Sequence, residues 1–409
     1  MEPVGAEEKG LRRAPLEGVR VLDFTWQAAG PFCTRLLALM GAEVIKVESR
    51  ARLDIHRRPH PVYGREEVPS YEELLAHKKS VTLNLKHPRA VELARKLAAV
   101  SDVIIENFRP GVLDRLGLGY EALRLVKPDI IMVSCSAAGQ TGPERLHAGY
   151  APIFAALGGL GFITGYEDGP PVELRNHMDH AVGLVACLAT VAALWRRKRT
   201  GEGAHMDVSG REVVTWLMGE VILDYTLNGR VGRRRGNRDE AIAPHNVYPC
   251  RGEDRWVSIA VGSDAEWQAL CRVMGWPELA RDPRFSDGYL RHNNQAELDE
   301  IIAAWTRQHD SWEVSERLQV AGVAAVPSVT AAELVCDPHL KARGAFLEVK
   351  GPAGELRPAV GLPWRFSETD RQAASWPPEL GAHNREVLCG LLGLSERELA
   401  ELEAEKAVW

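Results

Sequence analysis

The chain has no Cys-x-x-Cys pair, no apolar run long enough for a bilayer and no glycine-rich phosphate fingerprint. Each of these gaps removes a class of function. The seven cysteines (33, 135, 187, 250, 271, 336 and 389) are scattered, which argues against a zinc site or a disulfide frame and for reduced thiols in a cytoplasm. The longest apolar run, Ala181 to Trp195, falls short of the roughly 20 residues that a bilayer span needs, so it reads as a core helix. The opening stretch MEPVGAEEKGLRRAP lacks an apolar h-region, and no secretory signal is expected. After the first strand the turn reads Thr25-Trp-Gln-Ala-Ala-Gly30-Pro31. Without Gly-x-Gly-x-x-Gly, the backbone approach to a pyrophosphate that a nicotinamide dehydrogenase makes has lost its glycines. The net charge of −6 argues against a general nucleic-acid or membrane-surface role, while leaving room for a local basic pocket.

What is present reads as a globular enzyme. Apolar residues make up 45% and charged residues 26%, both ordinary values, and 409 residues exceed what one compact core accommodates. Two domains are expected. From Val19 the segments VRVLDF, AEVIKVE, SVTLNL, VIIENF and DIIMVSCS read as buried strands. Between them, AAGPFCTRLLALMG and HPRAVELARKLAAVSD read as helices, the second with Pro88 near its first turn. That alternation implies βαβ units and a mainly parallel sheet, hence an α/β fold. Composition shifts near Arg230, where the chain turns basic, and residues 228–328 read as a second, smaller α+β domain. Residues 329–409 alternate short strands with Pro-rich turns and end in a charged helix.

Asp179 stands at the head of the long apolar run, with Arg196 to Arg199 in the last turn and Gly201 as a stop. Its spacing fits an N-cap. The same position also suits a carboxylate kept ionised for nucleophilic attack. Spacing alone does not choose between these two readings.

Several phrases together do. LEGVRVLDF (16–24), AGPFCTRLLALMGAEVIKVES (29–49), KKSVTLNLK (78–86), ENFRPGVLDRLGLGYEAL (106–123), GQTGP (139–143), TGEGAHMDVS (200–209), RRGNRDEAIAPHNVYPC (234–250) and LGAHNREVLCGLLGLS (380–395) run collinearly along the chain. In that order the sequence resembles the class III CoA-transferases, the group of formyl-CoA and carnitine CoA-transferases. The resemblance implies a Rossmann-like large domain made from residues 1–227 and a returning segment 329–409, with the small domain 228–328 between them. It also implies a homodimer whose chains interlock like links, and Asp179 as the covalent nucleophile. CoA and acyl-CoA would be substrates, with no permanently bound cofactor and no metal. By the same resemblance the CoA slot involves Gln27, Ala28 and Ala29, Lys78 and Lys79, Asn107 and Phe108, and Arg115 and Leu116. The structural alternative for the lysines is a solvated strand edge, and for Phe108 plain core packing. Ser49 falls where formyl-CoA transferase has an arginine, leaving Arg50 as the substitute. The basic stretch Glu48 to Arg58 resembles the branch acting on benzylsuccinate with succinyl-CoA, where it would pair a second carboxylate; a solvated loop is the equal alternative.

The chemistry fits an aspartate. Moving CoA between carboxylates exchanges one thioester for another, so acyl activation has to be conserved through covalent steps. Gly158 to Gly161 offers either backbone donors for an oxyanion or packing glycines. Two rival readings remain: an α-methylacyl-CoA racemase, which would need a base where Tyr150-Ala151 stands, and a non-catalytic CoA-binding subunit paired with a related chain. The expected partners are an acyl-CoA and a small carboxylic acid; no nucleic acid and no membrane are expected.

Overall fold

The computed structural model describes residues 14–59, 69–174, 176–352, 354–369 and 375–409. Its larger unit is organised by a six-stranded sheet, β1 (Arg20–Asp23), β2 (Glu43–Glu48), β3 (Lys78–Thr82), β4 (Val103–Glu106), β5 (Ile131–Ser136) and β6 (Ala204–Ser209). The order is β3-β2-β1-β4-β5-β6, and every neighbouring pair is parallel. The inner strands β1, β2, β4 and β5, rich in Val, Ile and Leu, are buried on both faces, as a parallel sheet requires. Alternate residues go to opposite sides. Val21, Ile105 and Val133 pack on one face with α1 (Ala29–Leu39), whereas Leu22, Ile104 and Met132 pack on the other with helices Pro88–Ala99 and Glu396–Ala404.

On the α1 side follow α2 (Ala151–Leu157), α3 (His177–Thr200), α4 (Gly210–Leu217) and α5 (Gly219–Asn228). The helix α3 crosses α1 at Gly183, where an added Cβ would lie 2.5 Å from the carbonyl oxygen of Ala29 and 3.2 Å from the backbone nitrogen of Cys33. Backbone cannot yield as a side-chain tip can. Gly183→Val is therefore expected to lower stability by about 2 kcal/mol or more, read as a fall in the thermal midpoint. An unchanged midpoint would mean that the crossing is not the tight contact described.

Two expectations about α3 meet different fates. Gly201 does end it, in a left-handed conformation (φ 73). Asp179, however, is not its N-cap. Asn176 occupies that position, and Asp179 falls in the first turn. The helix begins earlier because the chain is already turned at Leu174, whose carbonyl takes the His177 N–H at 3.0 Å, and because the His180 N–H reaches Asn176 O at 3.1 Å.

The third strand begins earlier than the sequence suggests, so Lys78 and Lys79 lie inside it instead of ahead of it. Its free edge is closed by the end of the chain. His383 Nδ1 accepts the Ser80 N–H at 3.1 Å, Asn384 Oδ1 accepts the Thr82 N–H at 2.8 Å, and the Asn84 N–H donates to Ala407 O at 2.8 Å. Covering an edge strand in this way protects it from pairing with another chain. Glu173–Arg230 and Pro338–Trp409 belong with the residues before Phe162 in this unit. The unit includes the antiparallel hairpin β10 (Phe346–Lys350) and β11 (Leu356–Val360).

The smaller unit comprises Val231–Asp337 and the excursion Phe162–Val172. Its antiparallel sheet joins β7 (His245–Pro249), β8 (Trp256–Ala260) and β9 (Ala324–Pro327) in that order. Val257, Ile259, Trp267, Leu270, Leu298 and Leu318 form its core.

Candidate active site

Strands are added outward on one side from β1 to β3 and on the other from β4 to β6, so the order switches between β1 and β4, and a crevice opens there at the carboxyl ends of the strands. A cavity of about 1120 Å³ occupies it, lined by the chain following each of β1 to β5 and by the starts of α1, α2, α3 and α4. Cavities of that size hold ligands of cofactor dimensions.

The floor beneath the first loop is ionic. Asp23, fully buried at the end of β1, has Lys78 Nζ at 3.2 Å and Lys46 Nζ at 3.7 Å. It also accepts the Thr25 N–H at 2.7 Å and the Thr34 hydroxyl at 2.6 Å. Burial alone would push the Asp23 carboxyl upward, but the two ammonium groups and the two hydroxyls outweigh it and bring it down to about 2. Lys78 shares that one carboxylate with Lys46, so burial prevails and takes it down to about 8. Lys46 in turn donates to the carbonyl of Thr25, tying the loop to the floor.

Above this floor, α1 begins at Ala29 with no side-chain cap and no acidic residue in its first turn. The N–H groups of Ala29 and Gly30 have no partner within the helix, as at any helix start. Facing the same cavity, Asp179 is half-buried in the first turn of α3. Burial raises its carboxyl to about 6, with His180 offsetting only part. The helix start was expected to hold that value down; desolvation wins instead, and the group is still mostly ionised at neutral pH. Among the described residues, Asp179 is the lining carboxylate left with no hydrogen bond and no ion pair. Glu48 is held by Arg57 at 2.5 Å, and Asp54 accepts backbone N–H groups.

Of the residues expected to contact CoA, the cavity lining includes Gln27, Ala28, Ala29, Asn107, Phe108, Arg115 and Leu116. Three lie outside it. Lys78 is buried, its ammonium already bonded to Asp23, Pro31 O and Thr34 Oγ1. Lys79 pairs with Glu43 at 2.6 Å and Glu386 at 2.7 Å, which fastens the edge strand to the C-terminal segment. Arg50 is exposed, its backbone N–H bonded to Trp409 O at 3.0 Å. The basic stretch after β2 is likewise not a uniform anion site, since Arg57 is spent on Glu48 and on Pro378 O. Gly158 to Gly161 also lies away from the lining. A Cβ at Gly158 would meet Val214 at 2.6 Å, so the segment serves close packing of α2 on α4.

Sequence reasoning overlooked other cations of the lining. Arg52, Lys86, Arg109 and Arg145 line the cavity and, like Arg115, form no ion pair among the described residues. Arg109, which precedes Pro110-Gly111, reads from sequence equally as a turn residue and as a ligand. The signal for Arg52 was its place in the basic stretch; nothing marked Lys86 or Arg145. Trp26 was overlooked too. Its ring meets Phe108 edge-on at 6.2 Å and carries the Arg52 guanidinium at 4.5 Å. Phe108 is itself fixed by Glu106, which accepts its N–H at 2.7 Å. A flat aromatic wall beside several unpaired cations suits a nucleotide with phosphates.

The sequence model of CoA-transferase family III matches residues 16–384. The chain belongs to that family. It is 39% identical over 400 residues to a succinyl-CoA--D-citramalate CoA-transferase of Chloroflexus aurantiacus, covering 96% of this chain and 98% of the relative. It is also 33% identical over 398 residues to the same organism's succinyl-CoA--L-malate CoA-transferase beta subunit, covering 96% and 98%. Among solved structures, a CAIB/BAIF family protein from Brucella suis superimposes with a TM-score of 0.85 at 32% identity, over 92% of this chain and 99% of the other. The protein is thus an enzyme of acyl-CoA metabolism that moves CoA from an acyl-CoA to a carboxylic acid. That activity answers the racemase reading.

Proposed function

We propose that this family III CoA-transferase carries CoA from succinyl-CoA to a short dicarboxylic acid by way of Asp179, in the cavity at the β1–β4 switch. One observation carries the assignment: Asp179 is the unpaired carboxylate of a lining otherwise supplied with unpaired cations. The choice of donor and acceptor follows the names of the relatives, which act on citramalate and malate.

In the first half-reaction a carboxylate oxygen of Asp179 attacks the thioester carbonyl carbon, the C–S bond breaks, and a mixed anhydride and CoA thiolate result. The thiolate then attacks the Asp179 carbonyl carbon of the anhydride, releasing succinate and leaving an aspartyl-CoA thioester. The acceptor carboxylate attacks that thioester, and the returning thiolate attacks the acceptor's acyl carbon, restoring Asp179. Negative charge builds on a carbonyl oxygen in each step. The N–H groups at the start of α1, which lines the same cavity, take the role first considered for Gly158 to Gly161. CoA's phosphates fall to Arg52, Lys86, Arg109 and Arg115, with Trp26 and Phe108 as the apolar wall. No metal or resident cofactor enters this sequence of steps.

The active form is a homodimer of interlocked chains. In support, α5 buries none of its residues and leaves Ile222, Leu223, Tyr225 and Leu227 exposed, and α3 exposes Leu184, Leu188 and Trp195. An apolar surface of this extent calls for a partner, and a second copy of this chain supplies the same surface in return. Free thiols at all seven cysteines, five of them buried, fit a reducing compartment such as the cytoplasm.

The test is mass spectrometry of the purified chain after incubation with succinyl-CoA. A CoA adduct on the peptide carrying Asp179, discharged by adding a dicarboxylic acid, is the expected result. Turnover without any such adduct would remove Asp179 from the mechanism, and activity only on adding a related chain would replace the homodimer with a mixed assembly.

A further inference from the structure

The loop after β1 is held in an unusual shape by side chains from elsewhere in the sheet. Gln27 has φ 56, in the left-handed region that long side chains seldom adopt. His77, Asp254 and Lys406 share that property among the described residues, but only Gln27 lines the cavity. Each of the loop residues Thr25, Trp26 and Gln27 is tied down. Lys46 donates to the Thr25 carbonyl. Asn107 exchanges two bonds with Trp26, its Oδ1 accepting the Trp26 N–H at 2.7 Å and its Nδ2 donating to the Trp26 carbonyl at 2.8 Å. Asp54 Oδ2 accepts the Gln27 N–H at 3.0 Å. Asp54 is buried at 8% exposure, and its other oxygen caps the short turn Ile55–Arg57 by accepting the His56 N–H at 3.1 Å. Its carboxylate therefore has a fixed direction. Dinucleotide folds obtain a comparable turn from glycine; here polar side chains impose it.

We propose that Asp54 is a positioning residue for acyl-CoA, holding Gln27 in its left-handed conformation so that the loop presents its backbone and Trp26 to the bound CoA. Asn107 assists by locking the residue before, with both atoms of its amide engaged by the Trp26 backbone. The inference rests on the reading that this cavity takes acyl-CoA. Without the Asp54 carboxylate the Gln27 N–H is left unbonded and the loop relaxes toward ordinary backbone geometry, while the start of α1 stays held by its own packing.

Steady-state kinetics with succinyl-CoA as donor test this. Asp54→Ala is expected to raise KM for succinyl-CoA about ten-fold (~1.4 kcal/mol) while kcat and the acceptor KM stay within about two-fold. Glycine adopts the left-handed conformation freely, so in a Gln27→Gly background Asp54→Ala should cost less than about three-fold. A merely structural role would lower the active fraction and the thermal midpoint alike in both backgrounds. An unchanged KM, or the same factor in both, overturns the proposal. If Asp54→Ala does not fold, Gln27→Gly, Gln27→Ala and Gln27→Val should raise KM in that order; equal effects, or glycine the worst, overturn it. Phe108→Ala reads the cavity independently. A raised KM there with none in Asp54→Ala defeats the clamp alone, and no effect in either variant defeats the clamp together with the cavity assignment.

Discussion

Asp179→Asn is expected to lower kcat by about four orders of magnitude while leaving acyl-CoA affinity within a few-fold, because the amide cannot form the proposed anhydride and residue 179 is not assigned to CoA binding. The pH profile of the native enzyme should carry the same signature. With its carboxyl raised to about 6 by burial, Asp179 has to lose a proton to attack in the proposed mechanism. The rate should therefore fall about ten-fold per unit below pH 6. Stability should move the other way. An ordinary aspartate in the unfolded chain titrates near 3.9, so ionised Asp179 destabilises the fold fully above about pH 6, progressively less between 6 and 4, and not at all below. The asparagine variant should thus be more stable at pH 7, by an amount on the order of 1–3 kcal/mol that disappears on acidification. Titrating the denaturation midpoint of both proteins from pH 4 to 8 checks this. Parallel curves would show that residue 179 is not held in a costly environment.

The second large effect concerns the floor of the site. Asp23→Ala strips two buried ammonium groups of their shared carboxylate, and loss of about 3–5 kcal/mol at neutral pH is expected. The native carboxyl is held at about 2, below its unfolded value near 3.9. Its contribution is fully present above pH 4 and is lost as the pH falls toward 2. In the variant that acid limb should flatten. An alkaline gain should replace it, because Lys78, already lowered to about 8, sheds its proton in the folded state before the unfolded chain does. Chemical denaturation across pH 2 to 10 separates the two limbs. A variant as stable as the native protein at pH 7 would mean that the ion cluster is dispensable.

Much of this was legible beforehand, and the exceptions have physical reasons. Strands such as VRVLDF announce themselves because a doubly covered parallel sheet demands unbroken apolar runs, and Gly201 ends α3 because a left-handed stop favours glycine. Asp179 was singled out as nucleophile through the family resemblance, yet its local geometry was misjudged. A capping pattern in sequence carries no knowledge that Leu174 has already turned the chain, or that enclosure outweighs a helix start. Lys78 and Lys79 fail as phosphate ligands for a related reason. Spacing shows a cation beside a strand but not whether a partner such as Asp23 or Glu43 lies across the sheet. Arg52 and Arg145, by contrast, face the cavity because of where their loops fold back, and no periodicity encodes that.

The tail that closes β3 also sets an order of events during synthesis. His383, Asn384 and Ala407 reach this strand from more than three hundred positions downstream. While the chain is still growing, one margin of the sheet has its hydrogen-bonding groups open to any neighbouring polypeptide. Val231–Asp337 emerges whole and can fold first. The larger unit is completed only once residues 383–407 have emerged, which makes their removal a route to aggregation more than to partial activity.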